Sequence, residues 1–264
     1  MTFNNNINKQ NYHMKLSVII PFYNELNLIN RAVNSVLANS SFFDQVEIIL
    51  INDGLFEESE IQSNIDNKLN KFVKIILNAY SKGPGGARNT GLDISKGDII
   101  AFLDADDFWL PGKLDAQMRE INKGATFVAT SYRFDNSKTI VDPASNIDKP
   151  EDVFLRRGIG TSTVILTKEL LENHKFREIR FAQDIDFWFT LAKSQKFKYA
   201  GISEVFVEYN TGGSSKNKWV QLFYVNKILN LNNINIFTRI RVNISYIFIG
   251  IYNHYIRNLL FSRK

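Results

Sequence analysis

Short apolar runs alternate with amphipathic, helix-length segments through the first half of the chain. Runs rich in β-branched residues predict buried strands at "LSVIIPFYN", "VEIILIND", "FVKIILN" and "GDIIAFLDA". Apolar residues at helical spacing predict helices from Asn24 to Leu37, from Glu57 to Leu69 and from Gly85 to Ser95, with Asn24 capping the first. This alternation predicts an α/β fold with a mostly parallel central sheet flanked by helices on both faces.

The second half has a less regular pattern. "ATFVATSYRF" and "TSTVILT" are typical of strands, "FAQDIDFWFTLAKS" of a helix, and "KFKYAGISEVFVEYN" of a pair of strands. We interpret this half as a smaller α+β portion of the same domain. The predicted organisation is a flexible leader at residues 1–14, one domain at 15–213 and a helical tail at 214–264.

Composition narrows the function classes. The chain has 264 residues, of which 44% are hydrophobic and 22% charged, so one large globular domain with a sizeable core is expected. Cysteine is absent, which excludes disulfides and thiolate metal sites. The start, "MTFNNNINKQNYH", is polar and lacks the apolar core of a signal peptide.

The net charge of +5 is unevenly distributed. No Asp or Glu follows Glu208, and the residues after it carry eight of the 32 Lys and Arg residues. The first 208 residues therefore hold 24 basic and 27 acidic side chains. A basic tail on a slightly acidic body favours contact with an anionic surface.

The last apolar stretch, "NISYIFIGIYNHYIRNLLF", is too polar to be a membrane span. In a helical conformation one of its faces is apolar, and this face carries Ile244, Ile247, Phe248, Ile251, Tyr255 and Leu259. The opposite face carries Asn253, His254 and Arg257. Two interpretations stay open: a helix that lies on an anionic membrane surface, or a helix packed on the body or on a second subunit.

The fourth predicted strand ends in three carboxylates, Asp104, Asp106 and Asp107. Neighbouring carboxylates repel each other unless a cation lies between them, and the spacing of Asp104 and Asp106 puts both on one side of an extended chain. Mg²⁺ prefers such oxygen ligands and usually completes its shell with substrate phosphates. The cluster predicts a site for a divalent cation that carries a diphosphate. An acidic turn that caps the helix after Pro111 is the alternative.

A Gly-rich loop, "SKGPGGARNTG", leads into a helix and has Arg88 in the first helical turn. Backbone N–H groups at a helix N-terminus attract anions, and arginine adds a charge-assisted hydrogen bond. The spacing matches neither the P-loop nor the dinucleotide fingerprint, which disfavours NTP hydrolysis and hydride transfer. A tight connection with no ligand is the alternative.

Five motifs together resemble those of the family 2 glycosyltransferases: "VIIPFYNE", "INDG", "KGPGGARNTGL", "DIIAFLDADD" and "AQDIDFW". The resemblance covers residues 15–210 and implies the GT-A fold. It also implies transfer of a sugar from a nucleotide diphosphate to an acceptor hydroxyl, with inversion of the anomeric centre. The implied nucleotide-sugar pocket consists of Pro21, Tyr23, Glu25, Asp53, Arg88, Asp104, Ala105 and Asp106.

The same resemblance implies separate roles for four carboxylates. Asp53 would hold the base and Asp104 would approach the ribose. Asp106 would bind Mn²⁺ or Mg²⁺. Asp184, in "AQDID", matches the catalytic base that takes the proton from the incoming hydroxyl. Asp186 is the alternative base if the register differs.

Three positions depart from the family pattern. Asn52 replaces an Asp and is expected to hydrogen-bond the nucleotide instead, and Gln183 replaces a Glu beside the predicted base. The pair Asn210-Thr211 stands where a His near the metal is common, so we do not expect a His ligand there. The pair Gly212-Gly213 suits a mobile lid over the site.

These patterns predict a metal-dependent, inverting glycosyltransferase that uses a UDP-sugar in bacterial surface-polysaccharide biosynthesis. Its acceptor would be a glycan or a polyprenyl-diphosphate-linked sugar at the cytoplasmic, inner face of the cell membrane. Nucleic acid is not an expected partner, and a homo-oligomer is compatible with the tail. Two alternatives stay open: a polyprenyl-phosphate glycosyltransferase, which would not need Asp184 as a base, and a catalytically silent sugar-nucleotide-binding protein.

Overall fold

The structure is a computed structural model that describes residues 12–135, 139–155, 158–210 and 218–251. Its strands are β1 (Tyr12–Phe22), β2 (Phe43–Asn52), β3 (Val73–Leu77), β4 (Ile99–Phe102), β5 (Phe108–Trp109), β6 (Phe127–Phe134), β7 (Ile140–Val141), β8 (Ile165–Thr167) and β9 (Tyr199–Tyr209). Its α-helices are α1 (Ile29–Asn39), α2 (Glu58–Asn64), α3 (Pro84–Ile94), α4 (Lys113–Asn122), α5 (Asp152–Leu155), α6 (Lys168–Leu171), α7 (Gln183–Ala192), α8 (Lys218–Leu231) and α9 (Ile236–Ile251).

One sheet runs through the body in the order β3-β2-β1-β4-β8-β6-β9-β5, and β7 pairs with β6. The four strands of the first half are mutually parallel, as the alternating pattern predicts. The sheet then changes character at β8, which pairs antiparallel with both β4 and β6. β6 and β9 form a second parallel pair. The carboxyl ends of the first four strands therefore share one edge, where ligands bind in open α/β sheets.

The core lies on both faces of the sheet because successive side chains of a strand point to opposite sides. Val18 and Ile20 of β1 pack on one face with the apolar stripe of α1, whereas Ile19 packs on the other with α3. Gly91 allows that second contact, since a Cβ at this position would lie 2.5 Å from Ile19 Cγ2. The central strand thus holds α3, and the motif it carries, directly against the sheet.

The local predictions were wrong at four elements. The predicted strand "TSTVILT" begins with a 3₁₀ turn at Thr161–Thr163, so β8 is confined to its last three residues. Asn24 does not cap a helix, because a 3₁₀ turn at Leu26–Leu28 precedes α1. Helix α2 ends at Asn64, before the predicted Leu69, because the next residue, Ile65, has an extended backbone. The predicted strand pair near the end of the body is one long strand, β9, which pairs with β6 along its length through two irregularities.

The tail folds back onto the body as far as the structure describes it. Val225, Ile228 and Leu229 of α8 and Val242 of α9 are buried in the core on the α3 side of the sheet. At the other terminus, β1 begins at Tyr12, inside the predicted leader, and residues 1–11 lie outside the described part. The same holds for the predicted lid glycines and for residues 252–264 with Tyr255 and Leu259; the side chains of Ile247, Phe248 and Ile251 are also not described. None of the helices described here is both long and apolar enough to span a bilayer.

Candidate active site

The loops that follow the parallel strands meet at one edge of the sheet. The N–H of Asp53, just after β2, donates to the carbonyl of Phe22 at the end of β1 at 2.9 Å. The N–H of Leu103, just after β4, donates to the carbonyl of Ile19 at 3.1 Å. These bonds bring the predicted clusters after β1, β2 and β4 into one crevice.

The loop after β1 is shaped by Glu25. Its carboxylate accepts hydrogen bonds from the N–H groups of Tyr23 and Asn24 at 2.8 and 2.9 Å. Tyr23 is about half exposed, and Gly54 of the next loop lies against its carbonyl, where a Cβ would stand 2.3 Å from the oxygen. Pro21 is buried within β1, which a central strand tolerates here because the pairing with β4 ends at Ile19. Tyr23 and Asn24 are thus exposed to solvent, whereas Glu25 is partly buried.

Asn52 and Asp53 hold the loops beside the crevice. The Asn52 amide donates to the carbonyl of Phe56 at 2.7 Å and accepts from the N–H of Gly54 at 3.1 Å, so its polar atoms are already used by the loop. A carboxylate could not make the first of these bonds, which gives the departure from Asp a structural reason. Asp53 accepts from the Asn78 amide at 2.6 Å and from the N–H of Gly83 at 2.8 Å.

Arg88 is the buried cation at the centre of the site. Its side chain is 3% exposed, and Nη2 donates to Asp104 Oδ1 at 2.5 Å. Its guanidinium carbon lies 5.6 Å from the centre of the Phe176 ring. Within the described chain Nε and Nη1 have no hydrogen-bond partner. Two unsatisfied nitrogens on a buried guanidinium are costly, and the ion pair with Asp104 offsets only part of that cost.

The next two residues of α3, Asn89 and Thr90, hold two further loops against this helix. The Asn89 side chain makes two hydrogen bonds of 2.8 Å with the backbone of Phe176, in the segment that leads to α7. Thr90 Oγ1 donates to Asn78 Oδ1 at 2.8 Å and accepts from the N–H of Ala79 at 3.0 Å. One turn of α3 therefore orients the acidic loop, the loop after β3 and the approach to α7.

The acidic loop after β4 places Asp104, Ala105 and Asp106 at the crevice. Ala105 is buried, and Asp106 is partly buried. Burial, the charge of Asp104 and the charge of Glu25 raise the pKa of Asp106 to about 6, although Arg31 acts in the opposite direction. Arg31, which sequence reasoning missed, also donates to the Asp106 carbonyl at 2.8 Å. The negative charges at this loop therefore exceed the positive charge that the neighbouring side chains supply.

Asp107, the third carboxylate, points into the protein. Ser162, which is fully buried, donates to Asp107 Oδ2 at 2.6 Å and accepts from the N–H of Asp104 at 3.1 Å. The N–H of Asn210 donates to Asp107 Oδ1 at 3.1 Å, and the Tyr209 hydroxyl accepts from the N–H of Ser162 at 3.0 Å. Burial and the neighbouring Asp104 hold the pKa of Asp107 well above its usual range. Nothing in "TSTV" or "VEYN" signals these contacts, which join residues about 50 and 100 positions apart.

A buried lysine, Lys113, lies on the side of the acidic loop that faces Ser162. Lys113 is fully buried, its ammonium donates to the Gln117 amide oxygen at 2.8 Å, and it stands 4.0 Å from the centre of the Trp109 ring. Burial lowers the pKa of Lys113 well below its usual range. Trp109 Nε1 in turn donates to the carbonyl of Ser162 at 2.8 Å. This packing fixes the strand and helix that follow the acidic loop.

The two candidate bases on α7 have different surroundings. Asp186 is buried, lies 3.3 Å from Arg177 Nε and accepts from the Asn232 amide at 2.7 Å, so its carboxylate has structural partners. Burial raises the pKa of Asp184, while the positive charge of Arg88 opposes that rise and the charge of Asp104 adds to it. Asp184 is therefore the α7 carboxylate that shares an electrostatic environment with the crevice, which favours it over Asp186 as a base.

The ligand set for a metal is incomplete in the protein alone. Among the residues that the structure describes, no three carboxylate or imidazole side chains are grouped closely enough to hold an ion. Asn210, at the position where a His is common, contributes its backbone N–H to Asp107, and Thr211 lies outside the described residues.

The fold is shared with solved glycosyltransferases. S. aureus TarS, residues 1–349, superposes with a TM-score of 0.63 at 16% identity, over 95% of this chain and 76% of that one. The mannosyltransferase PcManGT from Pyrobaculum calidifontis, in complex with GDP-Man and Mn²⁺, superposes with a TM-score of 0.59 at 15% identity, over 89% and 74% of the two chains. These likenesses confirm the predicted GT-A fold.

Curated relatives are more similar in sequence. The Escherichia coli protein WfgD, a UDP-Glc:alpha-D-GlcNAc-diphosphoundecaprenol beta-1,3-glucosyltransferase, is 29% identical over 251 residues, which are 90% of this chain and 94% of WfgD. The GalNAc(5)-diNAcBac-PP-undecaprenol beta-1,3-glucosyltransferase of Campylobacter jejuni is 30% identical over 218 residues, 78% of this chain and 70% of the relative. The family model "Glycosyl transferase family 2" matches residues 17–182. The predicted resemblance is thereby confirmed, and the chain belongs to glycosyl transferase family 2 as a glycosyltransferase.

Proposed function

We propose that this glycosyltransferase moves a sugar from a UDP-sugar to a hydroxyl of a glycan carried on a polyprenyl diphosphate. The reaction would invert the anomeric centre and would belong to bacterial surface-polysaccharide biosynthesis. Support comes from the two relatives named above, whose names specify undecaprenol-linked acceptors and, for WfgD, a UDP-Glc donor.

The observation that carries the proposal is the state of Arg88. Its guanidinium is almost fully buried in the first turns of α3, Nη2 pairs with the Asp104 carboxylate, and the other two nitrogens lack a partner in the described protein. A diphosphate placed at the N-terminus of α3 would be attracted by the positive charge of Arg88 and by the backbone N–H groups of the helix end. This arrangement supports a nucleoside diphosphate more than an uncharged ligand.

The rest of the donor pocket follows from the same edge of the sheet. Tyr23 would offer its exposed ring to the nucleotide, while Glu25 and Pro21 shape the backbone beneath it. Asp53 would act at the base chiefly by holding the loop that contains Gly83, since both its oxygens already accept hydrogen bonds. Asp104 and Ala105 would lie beneath the ribose.

A divalent cation fits this pocket. The charge of Asp104 raises the pKa of Asp106, and hard carboxylate oxygens are the ligands that Mg²⁺ and Mn²⁺ prefer. We propose Asp106, assisted by Asp104, as the protein ligand, with diphosphate oxygens supplying further positions. Such an ion would stabilise the negative charge that develops on the leaving diphosphate.

Asp184 would act as the general base on the acceptor side. As the acceptor oxygen bonds to the anomeric carbon, the bond from that carbon to the diphosphate oxygen breaks, and its electron pair leaves with UDP. The hydroxyl proton passes to the Asp184 carboxylate, whose pKa is raised by burial, which makes it a stronger base than an exposed aspartate. Displacement from the face opposite the leaving group inverts the configuration.

The proposed acceptor also determines where in the cell the enzyme would act. A sugar on a polyprenyl diphosphate is anchored in a bilayer, so the enzyme would act as a peripheral protein at the cytoplasmic face of the cell membrane. Asp184 as a base distinguishes this acceptor from a polyprenyl phosphate, whose phosphate oxygen needs no deprotonation at neutral pH.

The test is a transfer assay with purified protein, Mn²⁺, UDP-glucose and a GlcNAc-diphosphate carried on a short lipid. The proposal expects a β-linked disaccharide product from the wild type and loss of product from Asp184→Asn. Full activity of that variant on a polyprenyl phosphate would favour the first alternative, and donor binding without any transfer would favour a silent binding protein. Donors with other sugars, tested in parallel, would separate a wrong sugar from a wrong reaction.

A further inference from the structure

Helix α9 has an inner face that the body already occupies. Val242 is fully buried in the core. The Asn243 and Asn226 side chains exchange hydrogen bonds of 2.7 and 3.0 Å, which join α9 to α8. Ser245 Oγ lies 3.4 Å from the carbonyl of Leu155 in α5. Packing on the body therefore accounts for the residues on this face of α9. It does not account for the apolar residues on the opposite face.

The opposite face, which we call the outer face of α9, consists of Ile236, Phe237, Ile240 and Ile244. These side chains are 58%, 78%, 49% and 51% exposed. Their spacing puts them on one side of the helix, with the exposed Arg241 beside them. Single exposed apolar residues are common, but four on one helix face form a patch of the kind that marks an interaction site.

We infer that the outer face of α9 binds the surface of a bilayer that contains anionic phospholipid. The charge of the tail identifies the partner, because residues 209–264 contain eight Lys and Arg residues and no Asp or Glu. Arg241 and Lys227 are exposed in the described helices of this segment. An apolar helix face bordered by basic residues is the composition of helices that lie in a membrane interface.

The same charge argues against a second copy of the chain as the partner. A twofold contact through this face would bring two tails of equal positive charge together, and like charges across an interface are unfavourable. Near Arg241 the body holds Lys149, Glu151 and Asp152, whose net charge of −1 Arg241 itself balances, so these residues leave no acidic surplus for a second tail.

Helix α8 connects this surface to the helix of the candidate base. Asn232, at the end of α8, donates to Asp186 of α7 at 2.7 Å, and the Tyr224 ring lies 4.6 Å from the Phe181 ring just before α7. Because Asp184 lies in the same turn as Asp186, docking α9 on a bilayer would fix the candidate base relative to the membrane. This last step rests on the proposed function, since it matters for an acceptor anchored in the bilayer.

The experiment is co-sedimentation of the full-length protein with vesicles. The vesicles contain either phosphatidylcholine alone or phosphatidylcholine with phosphatidylglycerol, and Phe237→Glu is compared with wild type. We expect wild-type binding to the anionic vesicles that weakens with salt. In Phe237→Glu the partition coefficient should fall by about tenfold or more, because an apolar anchor is lost and a repelled charge gained. Ile140→Glu, at a 54% exposed apolar residue of β7, is the matched control and should bind like wild type.

Several results would overturn the inference. Absence of wild-type binding to anionic vesicles would do so, as would equal binding of wild type and Phe237→Glu. A dimer in light scattering that Phe237→Glu dissociates would assign the face to a second copy. UDP titration of Phe237→Glu keeps the two proposals apart: normal nucleotide binding with lost vesicle binding separates the surface from the donor pocket, and failure of UDP binding in wild type would count against the proposed function alone.

Discussion

The side of the crevice that we propose for the donor and the network behind the acidic loop are built by different means. On the donor side, the parallel strands β1, β2 and β4 end at one edge, and short-range loops carry the polar side chains. Behind the acidic loop, Ser162 contacts both Asp107 and the N–H of Asp104, and the N–H of Asn210, just after β9, donates to Asp107. A pocket made of strand ends can be read from local pattern, whereas one assembled by long-range hydrogen bonds cannot.

The largest expected effect concerns the acceptor side. Asp184→Asn should lower kcat by about 10²–10⁴-fold, the usual contribution of a general base, while the affinity for UDP stays unchanged. The measurement pairs a transfer assay with calorimetry, and Asp66→Asn, at an exposed aspartate, serves as control. Unchanged turnover of Asp184→Asn would show that Asp184 is not the catalytic base.

A pH profile sharpens the same point. Burial raises the pKa of Asp184, so its carboxylate becomes protonated at a higher pH than an exposed aspartate does. Turnover should therefore fall as the pH is lowered through that raised pKa, with the base active above it. Thermal unfolding over the same pH range checks that the protein stays folded. A turnover that increases on acidification would contradict the assignment.

The next effect concerns the donor side. Arg88→Met should weaken UDP binding by about 10- to 100-fold, because a charge-assisted hydrogen bond to phosphate contributes roughly 1.5–3 kcal/mol. Calorimetry measures the change, and Arg119→Met, at an exposed arginine of α4, is the matched control. Equal affinity of Arg88→Met and wild type would mean that the diphosphate lies elsewhere.

Ser162→Ala tests whether this long-range network supports the acidic loop. The substitution leaves the Asp104 N–H without its acceptor and removes one donor from Asp107, so the free energy of unfolding should drop by about 1–3 kcal/mol. Urea denaturation measures it, and Ser63→Ala, an exposed position with a local hydrogen bond, should change little. A loss no greater than that of the control would show that the long-range network does not stabilise the loop.

The smallest effect concerns Asp106 in metal-free protein. Its folded-state pKa of about 6 lies above the ordinary 3.8, so ionisation costs folding energy as the pH rises through this window. Asp106→Asn should therefore stabilise the protein by roughly 1 kcal/mol at pH 7, after allowance for the partial exposure of the group. The gain should vanish below about pH 4, where the aspartate is protonated in both states. Denaturation with a chelator present measures it, and a destabilised variant at pH 7 would contradict the crowded-charge account.

The sequence predicts the parallel half of the sheet because the rules that govern it are local. Buried strands with apolar runs end at polar residues, and a Gly-rich segment before Arg88 leads into a helix. Asn24 and Asn52 show where local rules fail. A 3₁₀ turn separates Asn24 from α1. The Asn52 amide already donates to the Phe56 carbonyl. Ser162 carries no local signal, because its partner lies 55 residues away.

The measurement that tests the central claim most directly is calorimetric titration of UDP with and without Mn²⁺. Wild type, Asp106→Asn and Arg88→Met are compared under the same conditions. If the edge of the sheet binds a nucleoside diphosphate through a cation at Asp106 and the guanidinium of Arg88, UDP binds wild type with Mn²⁺, binds it weakly without Mn²⁺, and loses affinity in both variants. Binding of equal strength in all three proteins, with no effect of the metal, would contradict that claim.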